Sequence, residues 1–492
     1  MNEDKTQRNT RRVCVVGAGI SGLTTAYRLR ESARKAGRAL DVTVLEATAR
    51  AGGIIETLRT DGFVMECGPD SIITEKPQAA ALCREIGLES RLIPTGKAGG
   101  ASLVVRDGRL LPIPEGLHLM APSKLRPFAF SKLVSWPGKL RMAADLLIPP
   151  KLDGEEESLA AFVRRRLGNE ALERIAQPMV GGIYTADPER LSLAATMPRF
   201  IELERKYGSV IRGLAAAGRS REQAAVGRAR GPRYDLFVSL DEGLELLPER
   251  LVERIGRDSV RFDFAVDRVE RTRNGWRALS KHGVVEADAI CLATPAARTA
   301  AMLTSDAPEI AADLAGIEST SAATLNLAYR RRDIAHPLDA FGFVVPAVEN
   351  TTILACTFCS VKYAGRAPED FVLLRTFVGG ALSPETFDLD DDELMARAEA
   401  DLTRLLDIRG RPVRRELARW PSSMPQYHVG HIARIERIEA ATRRHPGLEL
   451  AGNAYRGTGI PDCVRSGEEA AARIEEFLFD ENSPTATGKR PS

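Results

Sequence analysis

The chain lacks net charge: 69 Lys and Arg against 67 Asp and Glu leave +2 over 492 residues. A protein that grips nucleic-acid phosphates by bulk electrostatics shows a clear basic excess, so no nucleic-acid partner is expected. It also lacks long apolar runs. Its longest charge-free stretch, Val13 to Tyr27, is glycine-rich and falls short of the about 18 apolar residues a membrane span requires. The polar opening Met1 to Arg12 has no apolar core of the kind a secretory signal carries. Cysteine is sparse, odd in number and scattered (Cys14, Cys67, Cys83, Cys291, Cys356, Cys359, Cys463). That pattern argues against a disulfide framework and suits a reducing, cytoplasmic compartment. No H-E-x-x-H, G-x-S-x-G or P-loop is present, and no internal repeat. What remains is an ordinary globular mix, 44% hydrophobic and 28% charged, with a length that suggests roughly three domains.

The chain opens as a βαβ unit. Val13 to Val16 reads as a buried parallel strand, Leu23 to Leu29 as a helix and Val42 to Leu45 as a second strand. The expected fold class is therefore α/β at the start, with a short half-apolar strand at Gly62 to Glu66. Residues 110–150 are punctuated by proline, and Lys124, Arg126, Lys132, Lys139 and Arg141 alternate there with Phe128, Phe130, Leu133 and Trp136. Leu159 to Leu214 reads as mostly helical, with Leu159, Phe162, Val163 and Leu167 on one stripe. Gly218 to Arg233 reads as a loop. Phe262, Phe264 and Val266 alternate as in a strand, and Asn274-Gly275 marks a hairpin turn. Ala289 to Ala293 is a further buried strand. Ser319 to Tyr329, Phe341 to Val345, Thr352 to Phe358 and Phe371 to Val378 are expected to share one sheet. Gly447 to Ala451 and Glu468 to Phe477 give a last strand and helix, and Asn482 to Ser492 a polar tail.

Gly17-Ala18-Gly19-Ile20-Ser21-Gly22 fits G-x-G-x-x-G between a strand and a helix. The first glycine makes the turn, the second admits a pyrophosphate, and the third lets helix and strand pack closely. The pyrophosphate then meets the positive end of the helix. Glu46 ends the next strand, where a carboxylate can accept ribose hydroxyls. Glu46-Ala47-x-x-Arg50-x-Gly52-Gly53 follows. A plain nicotinamide dehydrogenase has no need of this second close approach, whereas an elongated FAD does. The double motif resembles that of the flavin amine oxidase superfamily.

Within that superfamily the chain resembles the protoporphyrinogen oxidase family from about Val13 to about Phe477. Ordered segments carry the likeness: Glu66-Cys67-Gly68-Pro69-Asp70-Ser71; Glu157 to Phe162 with Arg164 to Gly168; Pro178 to Pro188 with Leu191-Ser192; Phe341 to Pro346; Pro425-Gln426-Tyr427 with Gly430-His431; and Gly452 to Gly457 with Asp462-Cys463. The resemblance implies three domains. A discontinuous FAD-binding Rossmann-like domain takes 1–95, 240–297 and 425–482. A helical, membrane-associating domain takes 96–210. A mixed-sheet substrate domain takes 211–239 and 298–424, and 483–492 forms a tail. It implies that FAD is held non-covalently by Gly17, Ala18, Gly19, Ile20, Ser21, Gly22, Glu46, Ala47, Arg50 and Gly53. Gly68, Pro69, Asp70, Ser71, Val266, Trp420, Thr458, Gly459 and Ile460 complete the cofactor set. A helix beginning near Asp462 or Val464 would aim its N-terminus at the flavin.

The implied reaction is oxidation of protoporphyrinogen IX to protoporphyrin IX, six electrons in three flavin cycles, with oxygen reduced to peroxide. The tetrapyrrole pocket is expected to be apolar with a basic rim, walled by Phe341, Val344, Leu354, Phe358 and Phe377, with room left at Gly182. The family's propionate-holding Arg is replaced by Ser102, leaving Lys97, Arg106 and Arg109 as basic candidates. That loss leans away from the tetracarboxylate coproporphyrinogen, which stays as an alternative. Cys356 and Cys359 are expected on opposite strand faces as structural thiols, and His431 as structural; no acid–base residue is assigned. The basic-aromatic stretch Lys124 to Arg141 fits either a peripheral membrane contact or a solvated face, and a homodimer is expected by analogy. Another flavin amine oxidase or desaturase is the nearest rival. An amine oxidase cage would need aromatic residues, of which there are only three Trp and eight Tyr. A non-enzymatic FAD-fold binding module is the reading from a different class.

Overall fold

The structure is a computed structural model and describes residues 10–96, 102–226 and 236–479. Lys97, the later part of the Gly218–Arg233 stretch and the polar tail lie outside these residues. Along the chain, β1 (Arg11–Val16), α1 (Ile20–Ala36) and β2 (Leu40–Leu45) form the opening unit, followed by β3 (Leu103–Arg106) and β4 (Arg109–Pro112). A helical stretch contains α2 (Leu125–Phe130), α3 (Trp136–Ala143), α4 (Leu159–Arg166), α5 (Gln177–Tyr184), α6 (Pro198–Tyr207) and α7 (Val210–Val226). Then come β5 (Val260–Arg261), β6 (Ala289–Leu292), β7 (Ser319–Arg330), β8 (Gly342–Val344), β9 (Ile353–Phe358) and β10 (Phe371–Gly379). The chain closes with α8 (Asp391–Leu406), β11 (Arg414–Pro425), β12 (Leu448–Leu450) and α9 (Ile460–Phe479).

Two sheets organise the molecule. The first is parallel, in the order β5-β2-β1-β6-β12. Its strands are short apolar runs because helices cover both faces. Val13, Val15, Val42 and Val44 face one apolar cluster, and Cys14, Val16, Leu45 and Ile290 another. The second sheet has seven strands, in the order β11-β7-β10-β9-β8-β3-β4. All four strands expected to share a sheet are in it. All its pairings are antiparallel except β8 with β3.

The alternation of side chains gives this second sheet two unlike faces. One carries Leu325, Leu327, Phe343, Cys356, Phe358 and Leu374 and packs on the Leu394, Ala398 and Leu402 stripe of α8. Asp390 starts α8 by accepting the Glu393 N–H at 2.8 Å, and its acidic first turn suits the positive helix end. The other face holds Val344, Ala355, Phe377, Thr324 and Ala418 in one cross-strand row, with Gly342, Thr357, Arg375, Asn326 and Glu416 in the next.

Two local expectations need correction. The helix α7 runs on to Val226 instead of giving way to a loop at Gly218, because the stretch is rich in Ala, Arg, Glu and Gln, which favour helix. Phe262, Phe264 and Val266 do not form a strand; the strand stops at Arg261. The segment instead lies along the end of β2, with Phe264 N–H bonded to Glu46 C=O at 2.8 Å. The Asn274-Gly275 hairpin forms as expected, between strands Arg268–Thr272 and Gly275–Ser280.

Candidate functional site

The site begins at the carboxyl ends of the parallel strands. Gly17 has φ +102°, and a Cβ there would meet Ala293 O at 2.6 Å; one at Gly22 would meet Gly17 O at 2.0 Å. These two glycines are required by close packing. Gly19 differs: a Cβ there would meet nothing within 4 Å, so the loop faces open space. The second glycine pair closes on the first. Gly19 bridges Gly52, the Gly52 N–H bonds Ala18 O at 2.8 Å, and a Cβ on Gly53 would meet only Gly19 Cα, at 3.5 Å. Gly68 continues the line, pressed so closely on Ile54 that a Cβ would lie 1.8 Å from its carbonyl. Closely spaced glycine backbone thus leads from the end of β2 past Gly19 and Gly53 to Gly68, and this lining fits a groove for an elongated dinucleotide.

Glu46 accepts the N–H groups of Ala18 (2.8 Å) and Thr48 (2.9 Å). Arg50 braces the second loop by donating to Gly53 O at 2.6 Å and Ile55 O at 3.0 Å. Ala47 is exposed just beyond β2, while Val266 and Ile20 are buried in the two clusters flanking the parallel sheet. Ser21 is buried and donates to Cys463 O at 2.9 Å; Thr25 donates to Gly467 O at 3.1 Å. The equal offset of these bonds shows that α1 and α9 run parallel with their N-termini side by side. Gly467 makes this possible, since a Cβ there would lie 2.4 Å from Ser21 O. Two positive helix ends thus face one groove. Thr458 and Gly459 lead into α9, which begins at Ile460, slightly earlier than expected. Asp462, in its first turn, is buried and paired with Lys76 at 2.6 Å.

The polar face of the seven-stranded sheet sits on the Glu66–Ser71 segment. Thr324 Oγ1 and Trp420 Nε1 both donate to Cys67 O, at 2.6 and 2.7 Å. Asn326 Nδ2 donates to Glu66 O at 3.0 Å and Arg375 to Gly68 O at 2.8 Å. Pro69 is half-buried between these anchors. Asp70 is held by Lys362 at 3.0 Å and Arg375 at 3.1 Å, and accepts the Ser71 hydroxyl at 2.7 Å. Burial would push its carboxyl up, but the two cations hold it well below the usual carboxylate range. Arg375 and Lys362 escaped the sequence reading. An arginine inside the apolar run Phe371 to Val378 was the available signal, since a charge there must face a partner.

Of the expected wall, Val344 and Phe377 lie on this face. Gly182 of α5 comes to Val344, where a Cβ would meet Val344 Cγ1 at 3.7 Å. The end of α5 is tied to the sheet through Gln426, whose Nε2 donates to Tyr184 O at 3.2 Å. Phe358 must be corrected: it is fully buried on the opposite face, in edge contact with Phe343 at 6.0 Å, because alternation pairs it with Cys356. Leu354 sits half-buried at the irregularity between Ile353 and Ala355. Phe341 lies just before β8, its carbonyl accepting the Phe358 N–H at 2.9 Å. Ser102 precedes β3 and its carbonyl accepts the Ile113 N–H. Arg106 is committed to Lys132 O at 2.7 Å, and Arg109 is exposed on β4. Cys356 lies on β9, but Cys359 must be corrected: it opens the helical turn Cys359–Lys362 beyond the strand; the two fall in separate apolar clusters, and burial pushes the Cys359 thiol up to about 11. His431 stacks on Tyr427 at 4.0 Å with Nε2 on Tyr455 O at 2.9 Å, and burial lowers its pKa to about 4. It is a neutral structural ring.

The family model described as flavin containing amine oxidoreductase matches residues 20–475. The coproporphyrinogen III oxidase of Bacillus subtilis (strain 168) is 33% identical over 95% of this chain and 98% of its own. The chloroplastic protoporphyrinogen oxidase 1 of Spinacia oleracea is 30% identical over 94% of this chain and 84% of its own. A crystal structure from Exiguobacterium sp. 255-15 superposes with a TM-score of 0.82 at 31% identity, covering 94% of this chain and 98% of that one. The chain belongs to the flavin-containing amine oxidoreductase family and is an oxidoreductase with FAD as its cofactor.

Proposed function

We propose that the protein oxidises a porphyrinogen to the corresponding porphyrin, with oxygen as the electron acceptor. The observation that carries this reading is the seating of one face of the seven-stranded sheet on Glu66–Ser71. Phe377 is the cross-strand neighbour of Thr324, which holds Cys67 O, and this supports a substrate wall of Val344, Ala355 and Phe377 near Gly182. Bound FAD supplies the two-electron acceptor chemistry. The protein's part is to hold a broad apolar ring against it and to keep water out. Val344 and Phe377 supply contact area and Gly182 supplies room. No side chain is assigned as proton acceptor, since burial makes His431 a weak base and its Nε2 is bonded to Tyr455 O.

Protoporphyrinogen IX is favoured by Ser102, which removes one propionate partner. Coproporphyrinogen III is the second reading, favoured by relatives of that name at 33–34% identity. Purified protein incubated in air with each substrate separately tests both. A fluorescent porphyrin and peroxide are expected with at least one, and the larger kcat/KM decides between them. A flavin-loaded protein that oxidises neither overturns the reading.

The three-domain division, the homodimer and a cytoplasmic-face membrane contact belong to the same proposal. No helix among the described residues is long and apolar enough to cross a membrane. Yet Phe130, Trp136, Leu140 and Leu147 are 79%, 65%, 72% and 86% exposed on α2, on α3 and just beyond it, with Lys139 over the Trp136 ring at 4.4 Å. Exposed apolar side chains on a segment that also exposes Lys124, Arg126 and Lys132 support insertion into an anionic lipid surface. Flotation with anionic vesicles should carry the protein upward, and Trp136→Ser with Leu140→Ser should abolish it.

A further inference from the structure

We propose that Thr185 is a positioning residue for the porphyrinogen wall: its hydroxyl closes a ring of hydrogen bonds that pins the last turn of α5, and with it Gly182, to the strand ends of the seven-stranded sheet. The helix needs such a pin. Pro178, Gly181 and Gly182 make α5 a poor helix by intrinsic preference. Its first turn is tied to the sheet by Gln177 Oε1, which accepts the Ala347 N–H just beyond β8 at 2.9 Å. Its last turn ends at Thr185, which has φ +49° and ψ +32° and whose N–H bonds Gly181 O at 2.9 Å. Glycine or asparagine is the ordinary residue at such a left-handed helix end. Among the described residues other than glycine with positive φ, most are Asp or Asn, and Thr185 alone is β-branched, the type for which this conformation is least favourable.

The surroundings of the side chain account for it. Thr185 Oγ1 donates to Tyr184 O at 2.8 Å, which leaves it as the acceptor of the Thr320 hydroxyl at 3.0 Å. Thr320 Oγ1 in turn accepts from Gln426 Nε2 at 3.0 Å, and the same Nε2 donates to Tyr184 O at 3.2 Å. The direction of donation is therefore consistent all the way round the ring. Gln426 is buried, and Thr320 lies on β7. The Ala381 N–H, just beyond β10, bonds Thr185 O at 2.8 Å. Gly380 lets the turn come this close, since a Cβ there would meet Thr185 Cβ and O at 3.0 Å. A glycine at 185 would suit the backbone better and would supply none of the ring, so the strained backbone is kept for the hydroxyl's bonds. The helix end so held presents Gly182 to Val344 and leaves Ile183 49% exposed beside it. The inference rests on the proposed reading for the identity of the substrate alone.

The test compares three variants of the FAD-loaded protein. Thr185→Ser keeps the hydroxyl. Thr185→Val keeps the strain and loses the hydroxyl, and Thr185→Gly relieves the strain and loses the hydroxyl too. Thr185→Val and Thr185→Gly should each raise the porphyrinogen KM about tenfold, with kcat per bound flavin within about twofold of the parent. Thr185→Ser should stay close to the parent. Amide hydrogen exchange, measured without any tetrapyrrole, should quicken about tenfold at Thr185 and Ala381 in Thr185→Val and Thr185→Gly. Unmoved exchange in both overturns the proposal. So does faster exchange with an unmoved KM, which is how a merely structural helix end behaves. So does a Thr185→Gly protein that matches the parent while Thr185→Val does not, which would make strain the cause instead of the hydroxyl. If the parent oxidises neither porphyrinogen, the substrate reading fails by itself, and the exchange rates still decide whether the ring pins the helix.

Discussion

The two faces of the seven-stranded sheet are written in the same strands yet do different work. The face on α8 is mostly hydrocarbon and thiol: Leu325, Leu327, Phe343, Cys356, Phe358 and Leu374. The other carries Thr324, Asn326, Arg375 and Trp420, each bonded to a backbone carbonyl of Glu66, Cys67 or Gly68. Buried polar groups need partners, and here the partners are the carbonyls of the segment that runs along the groove. The difference shows that the functional face is marked by buried polarity, while aromatic content marks both faces alike.

Substitutions on the two faces should therefore separate stability from function. The largest effect is expected on the apolar face: Phe358→Ala should cost about 3–5 kcal/mol of folding stability and leave turnover per bound flavin unchanged. A denaturant titration with flavin-normalised kinetics checks this, and a changed KM would break the comparison. Next, Arg375→Leu strands the carbonyl of Gly68, worth about 1–3 kcal/mol, and leaves Glu66 O to Asn326 and Asp70 to Lys362 alone. FAD affinity should fall by about a hundredfold, as read by flavin fluorescence on dilution. Smaller again, Phe377→Ala should raise the porphyrinogen KM by about tenfold with FAD affinity unmoved, since a half-buried apolar wall gives up only part of a side chain's burial energy.

The last effect is absent at pH 7 and sharpens the junction beyond β11. His431 titrates at about 4 in the native state against 6.5 unfolded. The unfolded chain thus binds the proton first, and stability falls as pH drops from about 6.5 to about 4. His431→Gln should flatten that part of a stability-against-pH curve measured by urea midpoints.

Much of the groove was legible locally. Gly17 to Gly22, Glu46 and the Gly52-Gly53 pair are contiguous motifs whose geometry follows from backbone sterics over a few residues. The four strands of the substrate sheet were legible as apolar runs. Which face each aromatic took was harder, because Phe358 and Phe377 look alike and only the irregularity at Ile353–Ala355 and the register against β10 place them on opposite sides. Lys362 and Asp70 are far apart in the chain, so no local pattern links them.

By itself, then, the sequence determined the βαβ opening, its glycine turns and the set of strands, because those depend on near-neighbour sterics and hydrophobic periodicity. Only the tertiary structure decided the parallel pairing of α1 with α9, the face assignment of Phe358 and the pairing of Asp70 with Lys362 and Arg375. These depend on contacts between segments hundreds of residues apart, and a buried charge has no definite partner until the chain has closed around it.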